Sequence, residues 1–392
     1  MTLFSRTALV IAVAAATATL AACAVGPEYQ RPSAAAPAAF KEAPQAEAGW
    51  FPAAPADALD RGAWWQLFGD AELNTLLPQV EVSNQNVAAA VAAYAQARAL
   101  VDQQRATLFP SVDATGGATR SGGRGSTTAG GNRFQAGVTA SWAPDIWGGL
   151  RRGVEGAQAS AQASAADLAA ARLSAQGELA TNYFALRSTD AQIALTRASV
   201  EGYERSLKIT QDRYAAAIAA KTDVLQAQSQ LDSARASLST LQSQRAQLEH
   251  AIAVLIGKAP ADFSLPAATW TSSVPAVPLA LPSELLQRRP DIAAAERDVA
   301  AANAQIGVQR SAYFPSLSLS GSIGQSASRV ADLFGASTSL WSLGVSVAQT
   351  VFDAGATRAR VAGAEAARDA AVARYRQTVL SAFQTVEDQL AA

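Results

Sequence analysis

The sequence predicts a mainly α-helical protein with a transmembrane β-barrel portion, built from two copies of a helix-strand-strand-helix unit. Three observations carry this. The chain resembles itself at one fixed offset. Each copy holds a pair of strands about ten residues long in which apolar residues alternate with small polar ones, the pattern of a barrel wall. The stretch between Pro144 and Pro260 contains no proline and, from Gly156 to Gly257, only Gly177 and Gly202 as interior glycines.

The chain opens with a segment that reads as an export signal. Residues 1–22 place Arg6 ahead of an apolar run from Ala8 to Leu20, too short and too poorly flanked for a membrane span. Leu20-Ala21-Ala22-Cys23 closes it in the pattern of a bacterial lipobox, whose cysteine is lipidated and becomes the mature N-terminus. Cys23 is the only cysteine of the chain. An ordinary buried cysteine is the plainer alternative, but a free thiol at the end of an export signal is chemically out of place. The expected prosthetic group is therefore a covalent lipid on Cys23, with no other cofactor and no metal. Residues 23–70 follow as a lipid-anchored tether. No later segment has 18 consecutive apolar residues, so no transmembrane helix is expected.

The first repeat is assigned to 71–265, with a β-hairpin at 111–142 and a long helical hairpin at 150–257. A linker at 266–282 precedes the second repeat at 283–392, with a helix at 291–312, a β-hairpin at 316–350 and a helix from about 355. The offset is fixed by Arg105-Ala-Thr-Leu-Phe109-Pro110-Ser111 against Arg310-Ser-Ala-Tyr-Phe314-Pro315-Ser316, and it also pairs Gly116 with Gly321. Asp291 is expected to cap the helix after Pro290. Pro110 and Pro315 stop the first helix of each copy, because proline lacks an N–H and disfavours helical geometry in the preceding residue.

Strand faces follow from parity. Leu317, Leu319, Gly321 and Ile323 alternate with serines, as do Trp341, Leu343, Val345 and Val347 with Ser342, Gly344, Ser346 and Ala348. In the first copy Phe134, Ala136, Val138, Ala140 and Trp142 share a face, and Val112, Ala114, Gly116 and Ala118 line their partner. A period of two with one apolar and one polar face suits a wall between lipid and water.

The long proline-free stretch is filled with Ala, Leu, Gln, Ser and Arg, adequate or good helix formers. A break at Ala216–Lys221 gives helices of roughly 65 and 35 residues, the first on the order of 100 Å long. Leu225, Leu231, Leu238, Leu241 and Leu248 give a near-heptad seam of the coiled-coil kind. By repeat arithmetic the second copy is expected to continue roughly 70 residues past Ala392 with a returning helix. Four strands cannot close a barrel, and open edges in lipid leave backbone groups without partners at several kcal/mol each. Two copies of the chain give eight strands and a filled interior; three give twelve and leave a lumen.

Composition excludes several functions. The net charge is -1, which argues against nucleic acid. One Cys and one His leave no nucleophile–base–orienter set, so no enzyme is expected. His250, alone in a helical run, reads as structural, since metal and catalytic sites need several converging groups.

At this point the chain resembles a known family, the outer membrane factors of tripartite efflux systems, and within it the NodT-type outer membrane lipoproteins. The resemblance rests on LPSELLQRRPDI at 281–292, Ala295-Glu296-Arg297, Ala304-Gln305-Ile306-Gly307 and the CAVGPEYQRP start at 23–32. It rests also on Trp64-Trp65-Gln66-Leu67-Phe68-Gly69-Asp70, Asp145-Ile146-Trp147-Gly148, Asn182-Tyr183-Phe184-Ala185-Leu186-Arg187 and Val386-Glu387-Asp388. It covers nearly the whole chain after the signal. It implies a homotrimer with a twelve-stranded barrel and an α-helical periplasmic tunnel, lipid-anchored in the outer membrane of a Gram-negative bacterium. It implies a periplasmic adaptor protein, an inner-membrane pump and outer membrane lipid as partners. It further implies that Arg213, Tyr214, Thr222 and Asp223, at the tip of the helical hairpin, face the adaptor and the periplasmic aperture. Arg288-Arg289 could form a basic patch or simply part of a helix stop, and Trp64 and Trp65 could bind a ligand or pack the tether. Two departures stand out. Trp142-Ala143-Pro144-Asp145 lacks the family's glutamate after the tryptophan, and Ala217 stands where a left-handed glycine is usual, so that turn would be strained. The function implied is passive export of small molecules. A periplasmic lipoprotein adaptor or coiled-coil scaffold of an export system is the alternative, set against by the paired amphipathic strands.

Overall fold

A computed structural model describes residues 25–34, 37, 41, 62–122, 131–268 and 288–391. Cys23, the first loop from 123 to 130 and most of 281–292 lie outside the described residues. The chain forms two compact units. The first comprises 1–43, 94–165 and 291–392, the second 44–93 and 166–290. In order, the elements are α1 (Ala71–Ser83), α2 (Gln85–Ala106), β1 (Ser111–Ser121), β2 (Gly131–Trp142), α3 (Gly149–Ala215), α4 (Lys221–Leu255), α5 (Pro290–Ser311), β3 (Ser316–Ala327), β4 (Ser339–Ala348) and α6 (Ala356–Ala391).

The first unit is organised by a four-stranded antiparallel sheet of order β1-β2-β3-β4. Its two hairpins come from the two halves of the sequence, which is why this unit is discontinuous. The repeat reappears as hydrogen bonds. Thr107, Leu108 and Phe109 donate to the carbonyls of Gln104, Arg105 and Ala106, and Ala312, Tyr313 and Phe314 donate to those of Gln309, Arg310 and Ser311. Each helix thus tightens into a last turn of i→i+3 bonds before its proline and strand. Asp291 departs from expectation. α5 starts at Pro290, so Asp291 lies in the first turn, where its carboxylate accepts the Ile292 N–H at 3.0 Å. Proline fits that first helical position because its missing N–H has no partner there anyway.

Residues 25–30 are latched onto this unit. Val25 N–H donates to the Trp147 carbonyl at 3.0 Å, and Asn303 Nδ2 to the Pro27 carbonyl at 2.9 Å. Arg152, buried at its guanidinium, reaches Glu28 at 2.6 Å and Glu155 at 2.7 Å, and Tyr29 bonds the buried Glu296. Gly307 has to be glycine here: an added Cβ would sit 2.8 Å from Arg152 Cγ and 2.9 Å from the Val25 carbonyl oxygen. The family strings around Glu296 and Gly307 therefore serve to seat this segment.

The second unit has its apolar core around Leu73, Leu76, Leu77 and Val80 of α1, Leu179, Tyr183 and Leu186 of α3, and Ile252, Leu255 and Ile256 at the end of α4. Trp65 is buried in it, with Trp64 edge-on at 5.9 Å and donating to Gln176 at 3.4 Å, so the pair packs this core. Asn84 divides α1 from α2. Its Oδ1 caps α2 by accepting the Asn86 and Val87 N–H groups, and its Nδ2 donates to the Leu255 carbonyl at 2.9 Å. Farther along, the seam between α3 and α4 joins Val200, Leu207 and Leu231 with Val224, Ala227, Ala234 and Leu238. This corrects the expected register. Leu225 is 59% exposed and Val224 takes the inward place, giving the alternating three- and four-residue steps of a coiled-coil seam.

Both long helices end in the same hydrogen-bond motif with different residues. At α4, Lys258 N–H reaches the Ala253 carbonyl and Gly257 N–H the Val254 carbonyl; at α3, Ile218 reaches Arg213 and Ala217 reaches Tyr214. The residue in the left-handed position is Gly257 at φ 71° in one and Ala217 at φ 59° in the other. An alanine there costs roughly 1–2 kcal/mol of backbone strain. Replacing Ala217 by Gly will relieve it, less the extra freedom glycine has when unfolded, for a net gain of about 0.5–1 kcal/mol. Amide exchange at 216–219 will slow several-fold. Gly257→Ala has the opposite outcome, because an added Cβ would lie 2.3 Å from the Ser83 carbonyl oxygen. A loss above about 2 kcal/mol is expected in thermal melts of the solubilised protein.

Candidate functional site

The sheet is the first candidate site, and its register decides its two faces. Residues directly opposite share a face. One set of rows reads Val112–Ala140–Gly321–Leu343, Ala114–Val138–Ile323–Trp341 and Trp142–Leu319–Val345. The other reads Ser111–Ser141–Ser320–Gly344 and Asp113–Thr139–Ser322–Ser342. Leu343 is 81% and Trp341 75% exposed on the apolar face, a surface that suits hydrocarbon and not water. On the polar face Ser111 and Ser141 pair at 2.8 Å, as do Ser322 and Ser342.

Aromatic residues and carboxylates fix the foot of the sheet. Trp142 Nε1 donates to the Leu108 carbonyl at 3.0 Å. Trp147 stacks on Phe314 at 4.8 Å and donates to the Pro315 carbonyl at 2.7 Å. Asp145 then accepts the Leu150 and Arg151 N–H groups at the start of α3. Asp353 does the same for α6, accepting from Gly355 N–H and from Thr357 through both N–H and hydroxyl. These bonds, the Thr357 hydroxyl first, hold the Asp353 carboxyl below its ordinary pKa. Within the described residues, β1 and β4 each keep one ladder edge unpaired.

The second candidate site is the helical hairpin end in the second unit. Arg213 and Tyr214 in the last turn of α3 and Thr222 and Asp223 in the first turn of α4 are brought together there, all exposed. Asp223 also has a structural task, since its carboxylate accepts the Ala220 N–H at 3.2 Å and caps α4. The Arg213 and Tyr214 carbonyls accept the turn's N–H groups. His250 is exposed on α4. Among the described residues, no group of three His, Cys, Asp or Glu could hold a metal ion, and no helix is long and apolar enough to cross a membrane.

A buried ionic clamp escaped the sequence reading. Asp190 accepts from Arg245 at 2.6 Å and from Arg187 at 3.3 Å, and Arg245 also reaches Glu249 at 3.3 Å. The two arginines donate to the Pro266 and Leu265 carbonyls, and Ala268 N–H donates to Asp190. The i,i+3 spacing of Arg187 and Asp190 and the i,i+4 spacing of Arg245 and Glu249 are its sequence signals. Next to it, Tyr183 donates to Asp70, itself the cap of α1, at 2.8 Å, and Arg187 lies over the Tyr183 ring at 4.9 Å. Burial pushes the Tyr183 phenol up to about 12.

Comparison with known proteins agrees with this geometry. The model of the outer membrane efflux protein family matches residues 76–258 and 281–392. The pyoverdine export outer membrane protein OpmQ of Pseudomonas aeruginosa is 34% identical over 345 residues, covering 85% of this chain and 72% of its own length. Outer membrane protein OprJ of the same organism is 32% identical, over 99% of this chain and 80% of its own. The solved open state of the Neisseria gonorrhoeae MtrE outer membrane channel aligns with a TM-score of 0.81 at 28% identity, over 94% of this chain and 82% of that one.

The Tyr183 phenol gives a pH test. Below pH 10 it is protonated folded and unfolded, and its bond to Asp70 contributes in full. Between 10 and about 12 the unfolded chain releases the proton first, so this part of the stability is lost as pH rises through the folded value. The difference in melting temperature between wild type and Tyr183→Phe will therefore narrow across that window and stay constant below it.

Proposed function

This chain belongs to the outer membrane efflux protein family, and we propose that it forms the passive exit duct of a tripartite efflux pump, three copies closing one twelve-stranded barrel. The observation that carries the reading is the four-stranded sheet with one predominantly apolar face and two open edges. β4 runs antiparallel to β1, so the β1 of a second copy can extend β4 with the same alternation. Eight strands fill their own interior; twelve leave a lumen. Ring closure of this kind is a heterologous contact that a cyclic oligomer satisfies without remainder.

The helices carry the conduit into the periplasm, α3 alone being 67 residues and about 100 Å long. The hairpin end with Arg213, Tyr214, Thr222 and Asp223 meets a periplasmic adaptor, and the inner-membrane pump supplies energy. Cys23 carries the lipid that holds the tether at the outer membrane. The role needs no other cofactor and no catalytic group. OpmQ is named for pyoverdine export; for this chain we propose small molecules, chosen by the pump. An adaptor or scaffold role leaves the apolar face of the sheet without a purpose.

Adjacent substitutions test the wall. Leu343→Arg puts a charge on the lipid face at a cost of about 2–4 kcal/mol and will abolish heat-modifiable, trimer-sized migration in outer-membrane extracts. Ser342→Arg, its neighbour on the polar face, will keep it. Equal behaviour of the two refutes the assignment of faces. For the hairpin end, a Thr222→Cys variant is expected to cross-link to the adaptor of the same pump in intact cells, while a cysteine at the equally exposed Ser237 on α4 does not.

A further inference from the structure

Charge on the sheet is sparse and sorted by level. Its strands carry three charged side chains: Asp113, Arg120 and Arg133. Asp113 pairs with Thr139 and Arg133 with Thr119, and both belong to the polar face. Arg120 pairs with Asn132, one step from the Arg133–Thr119 pair, and so stands at the same level on the opposite face. The run of β2 from Thr139 back to Arg133 spans about 20 Å. Asp113 is therefore near the helical end of the wall, and Arg133 near its loop end. Arg133 Nε donates to Ser326 Oγ on β3 at 3.2 Å, which lays the guanidinium along the wall. Around the two charges the face offers hydroxyls, glycines and the Gln135 amide, with no other ionised group within the strands to offset them.

Resting on the reading of three copies around a lumen, we infer that Asp113 and Arg133 set the ion selectivity of the duct, as two rings of opposite sign at two levels. Fixed charges on a pore wall gather counterions and repel ions of their own sign. The Asp113 ring favours cations close to the helical tunnel, and the Arg133 ring favours anions at the outer mouth. A solute with a single charge meets one attractive and one repulsive level whichever sign it bears. Neither residue is needed to hold the fold: both are exposed, and Asp113 sits among hydroxyls that pair with each other.

The experiment is reversal potential in planar bilayers containing the full chain, under a potassium chloride gradient near 0.1 M, where charges act over about 10 Å. Asp113→Asn will lower the cation-to-anion permeability ratio and Arg133→Gln will raise it, each about twofold or more. Arg120→Gln removes the same charge at the same level on the lipid face and will leave the ratio unchanged. Near 1 M salt, where the range falls to about 3 Å, the shifts will shrink. Conducting Asp113→Asn and Arg133→Gln channels with unaltered ratios overturn the inference and leave the duct reading standing, as does an Arg120→Gln shift equal to that of Arg133→Gln. A wild-type chain that inserts without conducting overturns both.

Discussion

A peptide group that enters hydrocarbon must find its hydrogen-bond partner in protein, because no water is there to supply one. Most of this molecule follows from that constraint. Four strands pair among themselves and leave two edges open, and an apolar face as exposed as Leu343 and Trp341 make it is tolerable only against lipid. The same constraint makes the register unforgiving. A slip of one residue would turn every serine of β3 toward lipid and every leucine toward water. The register is accordingly fixed at the foot, where Trp142 and Trp147, at and just past the end of β2, bond the carbonyls of Leu108 and Pro315 and so tie that end to the helix stops before β1 and β3.

In the long helices the problem reverses. Long helices satisfy their own backbone and need only to be bundled and ended. Bundling uses an apolar seam that mixes alanine with larger residues, Val224, Ala227, Leu231, Ala234 and Leu238 against α3. Ending uses one hydrogen-bond motif twice. Where the end packs against the Ser83 carbonyl, glycine is imposed by space as well as by dihedral angle; at the hairpin end, alanine is tolerated at the price of strain. The strain at Ala217 therefore marks an end that the fold leaves loose enough to carry an unfavourable residue.

What was legible in the sequence was what repeats with a period. Strand parity gave both faces, the offset between Arg105 and Arg310 gave the paired helix stops, and the want of proline gave the long helices. Errors fell on single positions where a neighbour decides. Leu225 and Val224 are both apolar, and only the partner helix selects between them. Pro290 and Asp291 both suit a helix start, and the proline takes the first helical position. Asn84 carried a signal, since a capping residue between two helical patterns is a boundary, but its second bond, to the end of α4, is a tertiary fact. The clamp on 265–268 was hard to read because its charges sit on two helices, α3 and α4, and the segment they hold offers only backbone groups. At the hairpin end, the sequence located the break between the two helices, and the structure adds that Asp223 spends its carboxylate on a cap.

Polar chemistry is thus divided between two tasks with opposite demands. Arg187, Asp190 and Arg245 are buried or nearly so, and each has several partners; removing one leaves the others short of a partner in a poor solvent. They hold a strap in place and tolerate little change. Asp113 and Arg133 stand at a wall where water replaces a lost partner, so the fold asks almost nothing of them. A duct passes solutes along a wall, and the properties it can vary are the charge and size of its lining. Positions that are structurally undemanding and face the lumen are where such variation can occur without cost to assembly. In this wall, strand parity keeps those positions apart from the ones that meet lipid, so permeation can change while closure of the barrel does not.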